Sequence, residues 1–81
     1  MTATALQKEL TKGWAMLVFQ YHGKEGHVDP YCTREEGFPY LLWYEGDEKL
    51  VHSMDEVMNT PIFDSRSLAE IAGDISDIDW C

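Results

Sequence analysis

Basic residues are scarce in this chain. Six Lys and Arg stand against fifteen Asp and Glu, which gives the 81 residues a formal net charge of −9. A field of that sign repels nucleic-acid phosphates and anionic lipids, and it attracts basic partners. The composition therefore predicts no direct contact with nucleic acid and no membrane binding, and it favours a basic protein partner.

Cysteines and long apolar runs are also scarce. The chain has two cysteines, Cys32 and Cys81, whereas small secreted domains stapled by disulfides usually have about four or more. The apolar run at residues 14–19 is far shorter than the roughly 20 residues that span a bilayer. The first residues lack the pattern of a signal peptide. We therefore expect a single domain at residues 1–81 and a cytoplasmic location.

Motifs that commonly carry catalysis are absent from the sequence, which has no P-loop, no GxGxxG and no GxSxG segment. One alternative is a thiol enzyme in which Cys32 is the nucleophile and a histidine is its base. The spacing does not bring these residues together, and a lone cysteine in a strand is usually a small core residue. The sequence thus predicts a protein without enzymatic activity and without a cofactor.

Two histidines are candidates for a metal site. His22 and His27 flank a short predicted hairpin loop and could face each other across two strands. Asp29 lies two residues after His27 and would point to the same face. Two imidazoles and a carboxylate are a possible ligand set for zinc or nickel. No close-spaced Cys or His motif accompanies them, so we favour a solvated hairpin end and predict no metal site.

The patterning that is present predicts an α+β domain. Residues 3–12 have leucines four apart and end at Lys12-Gly13, which indicates a helix. Four β-like segments separated by turn residues follow, and we expect a four-stranded antiparallel meander. For the first segment, continuation of the helix is the alternative, because apolar residues also recur there at helical spacing. The predicted strands are residues 14–21, 27–33, 38–45 and 48–52.

Two capping boxes predict that the rest of the chain is helical. Ser53-Met-Asp-Glu56 and Ser67-Leu-Ala-Glu70 each place a serine three residues before a glutamate. Pro61 ends the first of these helices. After the second box, apolar residues recur at helical spacing as far as Ile78, with Gly73 as a kink or an early end. We expect the two C-terminal helices to pack on one face of the sheet.

The excess negative charge is concentrated in the second half of the chain. Residues 45–81 hold ten acids and two bases, whereas residues 1–44 hold five acids and four bases. Glu70, Asp74 and Asp77 fall at i, i+4 and i+7 of the last predicted helix, opposite its apolar stripe. Acids near a helix C-terminus oppose the helix dipole, so their position in this stripe is unfavourable for the helix. The stripe is either a polar face that keeps the protein soluble or a binding surface.

The third predicted strand carries aromatic residues on both faces. By strand alternation, Trp43 shares a face with Leu41, and Tyr40 and Tyr44 lie on the other. If the helices cover only one face, part of this aromatic set stays exposed and resembles a protein-binding surface. The alternatives are that the first strand and the C-terminal tail cover the set, or that a homodimer does.

Five short motifs, spread over most of the chain, resemble segments of a group of known proteins. They are Lys12-Gly13, Tyr21-His-Gly-Lys-Glu25, Leu42-Trp-Tyr-Glu-Gly46, Ser53-Met-Asp-Glu-Val57 and Ile62-Phe-Asp-Ser-Arg-Ser-Leu-Ala-Glu-Ile71. In these motifs the chain resembles small α+β proteins of Gram-positive bacteria to which no activity is attached. Those proteins usually have glycine where this chain has Ser65. The resemblance implies the layout of the domain and assigns no functional residue.

Three classes of function are compatible with these features. The first is a non-enzymatic protein-binding or regulatory domain that selects a basic partner or pairs with itself. The second is an inhibitor or immunity-type protein whose carboxylates take the place of nucleic-acid phosphates. The third, which the spacing disfavours, is a metal- or thiol-dependent enzyme. For the first class, the residues expected to contact the partner are Tyr40, Trp43, Tyr44, Glu70, Asp74 and Asp77.

Overall fold

The computed structural model describes residues 1–13, 15–32 and 34–81. Within them the chain forms three helices and five strands, which confirms the α+β class. In chain order these are α1 (Ala3–Lys12), β1 (Leu17–Tyr21), β2 (Lys24–Asp29), β3 (Tyr40–Tyr44), β4 (Asp47–Val51), α2 (Met54–Asn59), α3 (Leu68–Ile71) and β5 (Ser76–Trp80). No helix in this part of the chain has both the length and the apolar character needed to cross a bilayer.

Helix α1 forms where the local signals predict it. The hydroxyl of Thr2 accepts a hydrogen bond from the backbone N–H of Ala5 at 3.1 Å, which caps the first turn. Gly13 ends the helix in the left-handed region at φ 68°, where glycine has no steric penalty. Leu6 and Leu10, one turn apart, are both buried. This apolar pair anchors α1 to the rest of the domain.

The five strands form one antiparallel sheet in the order β4-β3-β2-β1-β5. The predicted number of four strands is wrong, although the neighbours among β1 to β4 are those of the predicted meander. The fifth strand pairs with β1, with Leu17 opposite Trp80 and Val18 opposite Asp79. Trp14 and Thr33, which are the predicted outer ends of the first two strands, lie outside the described residues.

The long C-terminal helix predicted from the isoleucine spacing is wrong. The predicted capping box is present, because Ser67 and Glu70 bond each other's backbone N–H groups. The helix that it starts, α3, nevertheless has only four residues. A turn follows in which the Asp74 N–H donates to the carbonyl oxygen of Ile71 at 2.8 Å, and the chain then continues as β5.

The end of α3 and the start of β5 have two physical causes. Gly73 in a helix interior is about 1 kcal/mol less favourable than alanine. Pairing of β5 with β1 also satisfies backbone groups of β1 that would otherwise lie at an open edge. Ile78 and Trp80 both pack against the core, which is the two-residue period of a strand rather than the period of a helix. This alternation is the signal in the sequence that the helical interpretation missed.

The first hairpin has a tighter turn than predicted, and the second has a turn of the predicted length that is shifted by one residue. The β1–β2 turn consists of His22 and Gly23, at φ 53° and 74°, and the β3–β4 turn of Glu45 and Gly46, at φ 39° and 95°. Positive φ at both central residues is typical of the turns whose twist matches that of paired strands. The predicted loop inside residues 22–27 is therefore shorter, and the second turn begins one residue earlier than expected.

One hydrophobic core lies between the sheet and the helices. The strand residues that point towards the helices are buried together with the apolar residues of all three helices, in a single cluster. Its fully buried side chains are Phe19, Phe63, Leu6, Leu10, Leu17, Leu42, Leu68, Ile71, Val28, Val51 and Val57. We call this side of the sheet the helix side, and the opposite side the outer face.

A tight turn at residues 63–66 holds its two central residues in the left-handed region of the backbone. Phe63 and Arg66 exchange two backbone hydrogen bonds of 3.0 and 3.1 Å, and Asp64 and Ser65 between them have φ values of 53° and 65°. A serine in this region costs about 1 kcal/mol that glycine avoids. We expect Ser65→Gly to raise the free energy of unfolding by about 0.5–1 kcal/mol, measured by urea denaturation.

The matched control for this substitution is Ser76→Gly, because Ser76 begins β5 and does not have a positive φ. There the same change removes a side chain from a strand and adds freedom to the unfolded chain, so we expect a small loss of stability. Equal losses at Ser65 and Ser76 would contradict the left-handed conformation of the 63–66 turn.

Candidate protein-binding surface

The outer face of the sheet is formed by the strand residues that alternate with the core residues. In β1 and β3, for example, Leu17 and Leu42 are buried on the helix side, whereas Val18, Leu41 and Trp43 are half-buried. No described helix contributes to this face, since the buried residues of all three belong to the core cluster. The side chains assigned to the outer face are Val18, Gln20, Glu25, His27, Asp29, Leu41, Trp43, Glu48, Leu50 and Asp79.

A row of five residues crosses the centre of the outer face, one from each strand. His27 lies opposite both Val18 and Trp43, and the row continues to Glu48 on β4 and to Asp79 on β5. The rings of His27 and Trp43 pack at a centroid distance of 4.6 Å. Side chains that lie directly opposite each other on neighbouring strands are in contact range. The row therefore places the indole of Trp43 between an imidazole and a carboxylate.

Aliphatic side chains extend this centre along β3 and β4. Leu41 and Leu50 are paired across these two strands and, like Trp43 and Val18, are half-buried. A core residue of the same size on the helix side, such as Leu42, has no exposed area. The difference shows that this apolar patch is less completely covered than the core.

Polar and charged groups surround the apolar patch. His27 Nε2 lies 2.9 Å from Glu25 Oε2. The guanidinium of Arg34 donates to both carboxylate oxygens of Glu48, at 2.7 and 3.2 Å. This interaction holds the pKa of the Glu48 carboxyl below its usual value and raises the pKa of Arg34. Asp29 accepts a hydrogen bond from the backbone N–H of Tyr31 at 2.8 Å.

Three aromatic residues of β3 are predicted to contact a partner. The structure places them on different faces of the sheet. Trp43 lies on the outer face, as strand alternation predicts. Tyr44 is 3% exposed and belongs to the core on the helix side. Tyr40 also packs against the core. Of these three residues, Trp43 is therefore the one that lies on the outer face.

The predicted acidic stripe does not form, because its residues are not on one helix. Glu70 lies in α3, where its carboxylate accepts bonds from the Ser67 N–H and hydroxyl at 3.0 and 3.1 Å, and these bonds lower its pKa. Asp74 lies in the turn after α3. Asp77 lies in β5 with φ 50°, where the pairing with β1 is irregular. The three carboxylates thus have three different environments.

The residues considered as possible metal ligands also contact different partners. His22 Nδ1 lies 3.0 Å from Asp64 Oδ2, whereas His27 lies on the outer face beside Glu25. Asp29 binds the loop that follows β2. Cys32 is a half-buried free thiol. Among residues 1–13, 15–32 and 34–81, no three His, Cys, Asp or Glu side chains are grouped as metal ligands.

A polar cluster that the sequence did not reveal lies on the helix side. The Tyr44 hydroxyl lies 2.9 Å from both Asp64 Oδ2 and the Tyr21 carbonyl oxygen. Asp64 also accepts from His22 at 3.0 Å and from Lys24 at 3.4 Å. The Tyr44 hydroxyl contributes most to a lowered pKa of Asp64, followed by His22 and Lys24. The partners of Asp64 are 20 to 42 residues away along the chain, so no local motif could have predicted them.

This polar cluster adjoins an open groove of about 540 Å³ at the β4 edge of the sheet. Its lining includes Lys24, Tyr44, Lys49, Ile62 and Asp64, which mixes both signs of charge with apolar side chains. The hydrogen bonds of Asp64 attach the 63–66 turn to the ends of the hairpins. We interpret the cluster as a structural clamp.

An aromatic and aliphatic centre with a carboxylate rim is typical of the composition of a protein-binding surface. No protein-family model, curated protein or solved structure matches this chain. The fold and the surface together define a small α+β domain in which the helices pack on one face of the sheet, and the other face presents Trp43.

Proposed function

We propose that the protein is a non-enzymatic protein-binding domain that holds a basic partner on its outer face. The observation that carries this proposal is the position of Trp43. Tryptophan is among the residues that most often dominate the energy of a protein interface. Here it lies with Leu41, Leu50 and Val18 on the face that the described helices do not cover.

The distribution of charge supports a basic partner. Five of the six basic residues are on the helix side, and the sixth, Arg34, reaches the outer face. Those on the helix side are Lys8 and Lys12 in α1, Lys24 and Lys49 on the inward positions of β2 and β4, and Arg66 in the 63–66 turn. Carboxylates of three strands, Glu25 and Asp29 of β2, Glu48 of β4 and Asp79 of β5, surround the apolar centre of the outer face. These carboxylates would attract a basic surface towards Trp43.

The two edges of the sheet favour docking on the face over strand addition. The β4 edge begins with Asp47, Glu48 and Lys49, and β5 carries Asp77 and Asp79 with an irregular pairing to β1. Charges and irregularities of this kind discourage another strand from joining an edge. Pairing of two copies through the outer face would bring like charges together, which disfavours the homodimer.

The inhibitor hypothesis requires carboxylates concentrated on one face. The ten acids of residues 45–81 instead lie in the β3–β4 hairpin, in both C-terminal helices, in the turns and in β5, on both sides of the sheet. An aromatic centre also has no counterpart in a phosphate backbone. Both features favour recognition of a basic protein surface over imitation of nucleic acid.

A defined peptide probe tests the proposal. A ten-residue peptide of alternating arginine and leucine should bind, with NMR shift changes concentrated on the outer face. Trp43→Ala should weaken this binding at least about tenfold, because truncation of a central tryptophan commonly costs more than about 1.4 kcal/mol. Isothermal titration calorimetry measures the loss.

The control variant is Tyr31→Ala, which removes an aromatic side chain that is 67% exposed and whose ring lies beside Gly13 at the end of α1. It should leave the peptide affinity unchanged. A peptide of alternating glutamate and leucine should not bind. Equal binding of the two peptides, or unchanged affinity in Trp43→Ala, would contradict the proposal.

A further inference from the structure

The contact between Arg34 and Glu48 has the geometry of a guanidinium receptor. Both oxygens of Glu48 accept from Arg34, through separate nitrogens at 2.7 and 3.2 Å. Glu48 lies directly opposite Trp43 in the pairing of β3 with β4. A carboxylate that binds both arms of a guanidinium, next to an aromatic ring, matches the planar shape and the charge of arginine better than those of lysine.

The bound side chain comes from an exposed residue outside the sheet. Arg34 belongs to the irregular segment between β2 and β3, and its side chain is 52% exposed while that of Glu48 is 46% exposed. An exposed ion pair of this kind adds little to the stability of a fold. Another guanidinium can therefore replace Arg34 without disturbing the sheet.

We infer that Glu48, which lies opposite Trp43, binds an arginine of the basic partner, and that Arg34 occupies Glu48 in the free protein. This inference rests on the proposed function and specifies its partner. The arginine of the partner displaces Arg34 from Glu48, and neighbouring apolar side chains of the partner pack on Leu41 and Leu50. Occupation by Arg34 lowers the affinity of the free protein, because only molecules with a vacated site bind.

The test compares two ten-residue peptides, one alternating arginine with leucine and the other lysine with leucine. Calorimetric affinities are measured for the wild type, Arg34→Gln, Lys49→Gln and Glu48→Gln. Lys49→Gln is the matched control, since it removes the same charge from the inward side of β4. Circular dichroism establishes that each variant keeps the fold.

We expect Arg34→Gln to bind the arginine peptide about two- to sixfold more tightly than Lys49→Gln does, because only the first variant vacates the site and an exposed ion pair closes it only weakly. We expect Glu48→Gln to bind the two peptides equally, because the bidentate acceptor is lost. Equal affinities in Arg34→Gln and Lys49→Gln would mean that removal of Arg34 changes the affinity only through the net charge. That result would overturn the inference. A retained preference for arginine in Glu48→Gln would also overturn it.

These outcomes are distinguishable from failure of the proposed function. Loss of binding in Trp43→Ala together with equal affinities in Arg34→Gln and Lys49→Gln would overturn the arginine site alone. Absence of binding to both peptides, in the wild type and in Arg34→Gln, would overturn the proposed function and the arginine site with it.

Discussion

Replacing Gly26 by alanine is expected to destabilise the domain by about 3 kcal/mol or more. A Cβ atom at this position would lie 2.5 and 2.7 Å from two ring carbons of Phe19. The ring is fully buried and packs against Phe63 at a centroid distance of 5.5 Å, so it has little room to move. Gly26 is therefore required because the ring covers the backbone of β2. Urea denaturation followed by circular dichroism measures the loss.

Gly73→Ala is the matched control for this substitution. No heavy atom outside the immediate neighbours of Gly73 lies within 4 Å of the added Cβ, and its φ is not positive. We expect a change within about 0.5 kcal/mol. If Gly26→Ala were as mild, the contact between Phe19 and β2 would be wrong. Such a result would also contradict the inward orientation of Phe19.

The second large effect is expected for Tyr44→Phe, which removes a single hydroxyl from the core. The phenol is 3% exposed, and its oxygen lies 2.9 Å from both the Tyr21 carbonyl and the Asp64 carboxylate. Removing this donor from a buried site costs about 1–3 kcal/mol. We expect that loss in the free energy of unfolding at neutral pH.

The same hydroxyl predicts the response of the protein to alkali. Burial, followed by the hydrogen bond to Asp64, raises the pKa of Tyr44 from 10 to about 12. Because folding favours the neutral phenol, its contribution is complete below the unfolded pKa of about 10. It is lost as the pH rises through about 12. The stability of the wild type should therefore fall more steeply over this range than that of Tyr44→Phe.

Tyr31→Phe is the control for both Tyr44 measurements. Tyr31 is 67% exposed, so removal of its hydroxyl should change the free energy of unfolding by less than about 0.5 kcal/mol. Its alkaline profile should follow that of the wild type. If the profiles of Tyr44→Phe and the wild type coincided, Tyr44 would not be the group whose ionisation opposes folding.

Short-range signals predicted much of the secondary structure. Gly13 ends α1 as predicted, and the serine of each predicted capping box caps its helix, although only the Ser67–Glu70 box forms completely. Each cap depends on residues within one helical turn, so its energy is available to the isolated chain. The strand alternation around Trp43 is local in the same sense, and it correctly places Trp43 and Tyr44 on opposite faces.

The C-terminal segment shows where local reasoning was insufficient. Its apolar residues fit a helical period from Leu68 to Ile75 and a strand period at Ile78 and Trp80. The decision in favour of β5 depends on β1, nearly 60 residues earlier, which offers an edge with unpaired backbone groups. The spacing of apolar residues carries no information about pairing with that distant edge. The acidic stripe predicted on the long helix was wrong for the same reason.

The candidate binding surface also combines features that the sequence determines with features that only the tertiary structure determines. The sequence by itself determined the negative charge, the capped helix starts, and the alternation that places Leu41 and Trp43 on one face. Only the tertiary structure decided which face the helices cover, that Arg34 reaches Glu48, and that Tyr44 meets Asp64. The physical reason is distance along the chain: caps and alternation are set within a few residues, whereas these contacts exist only after the sheet and helices have packed.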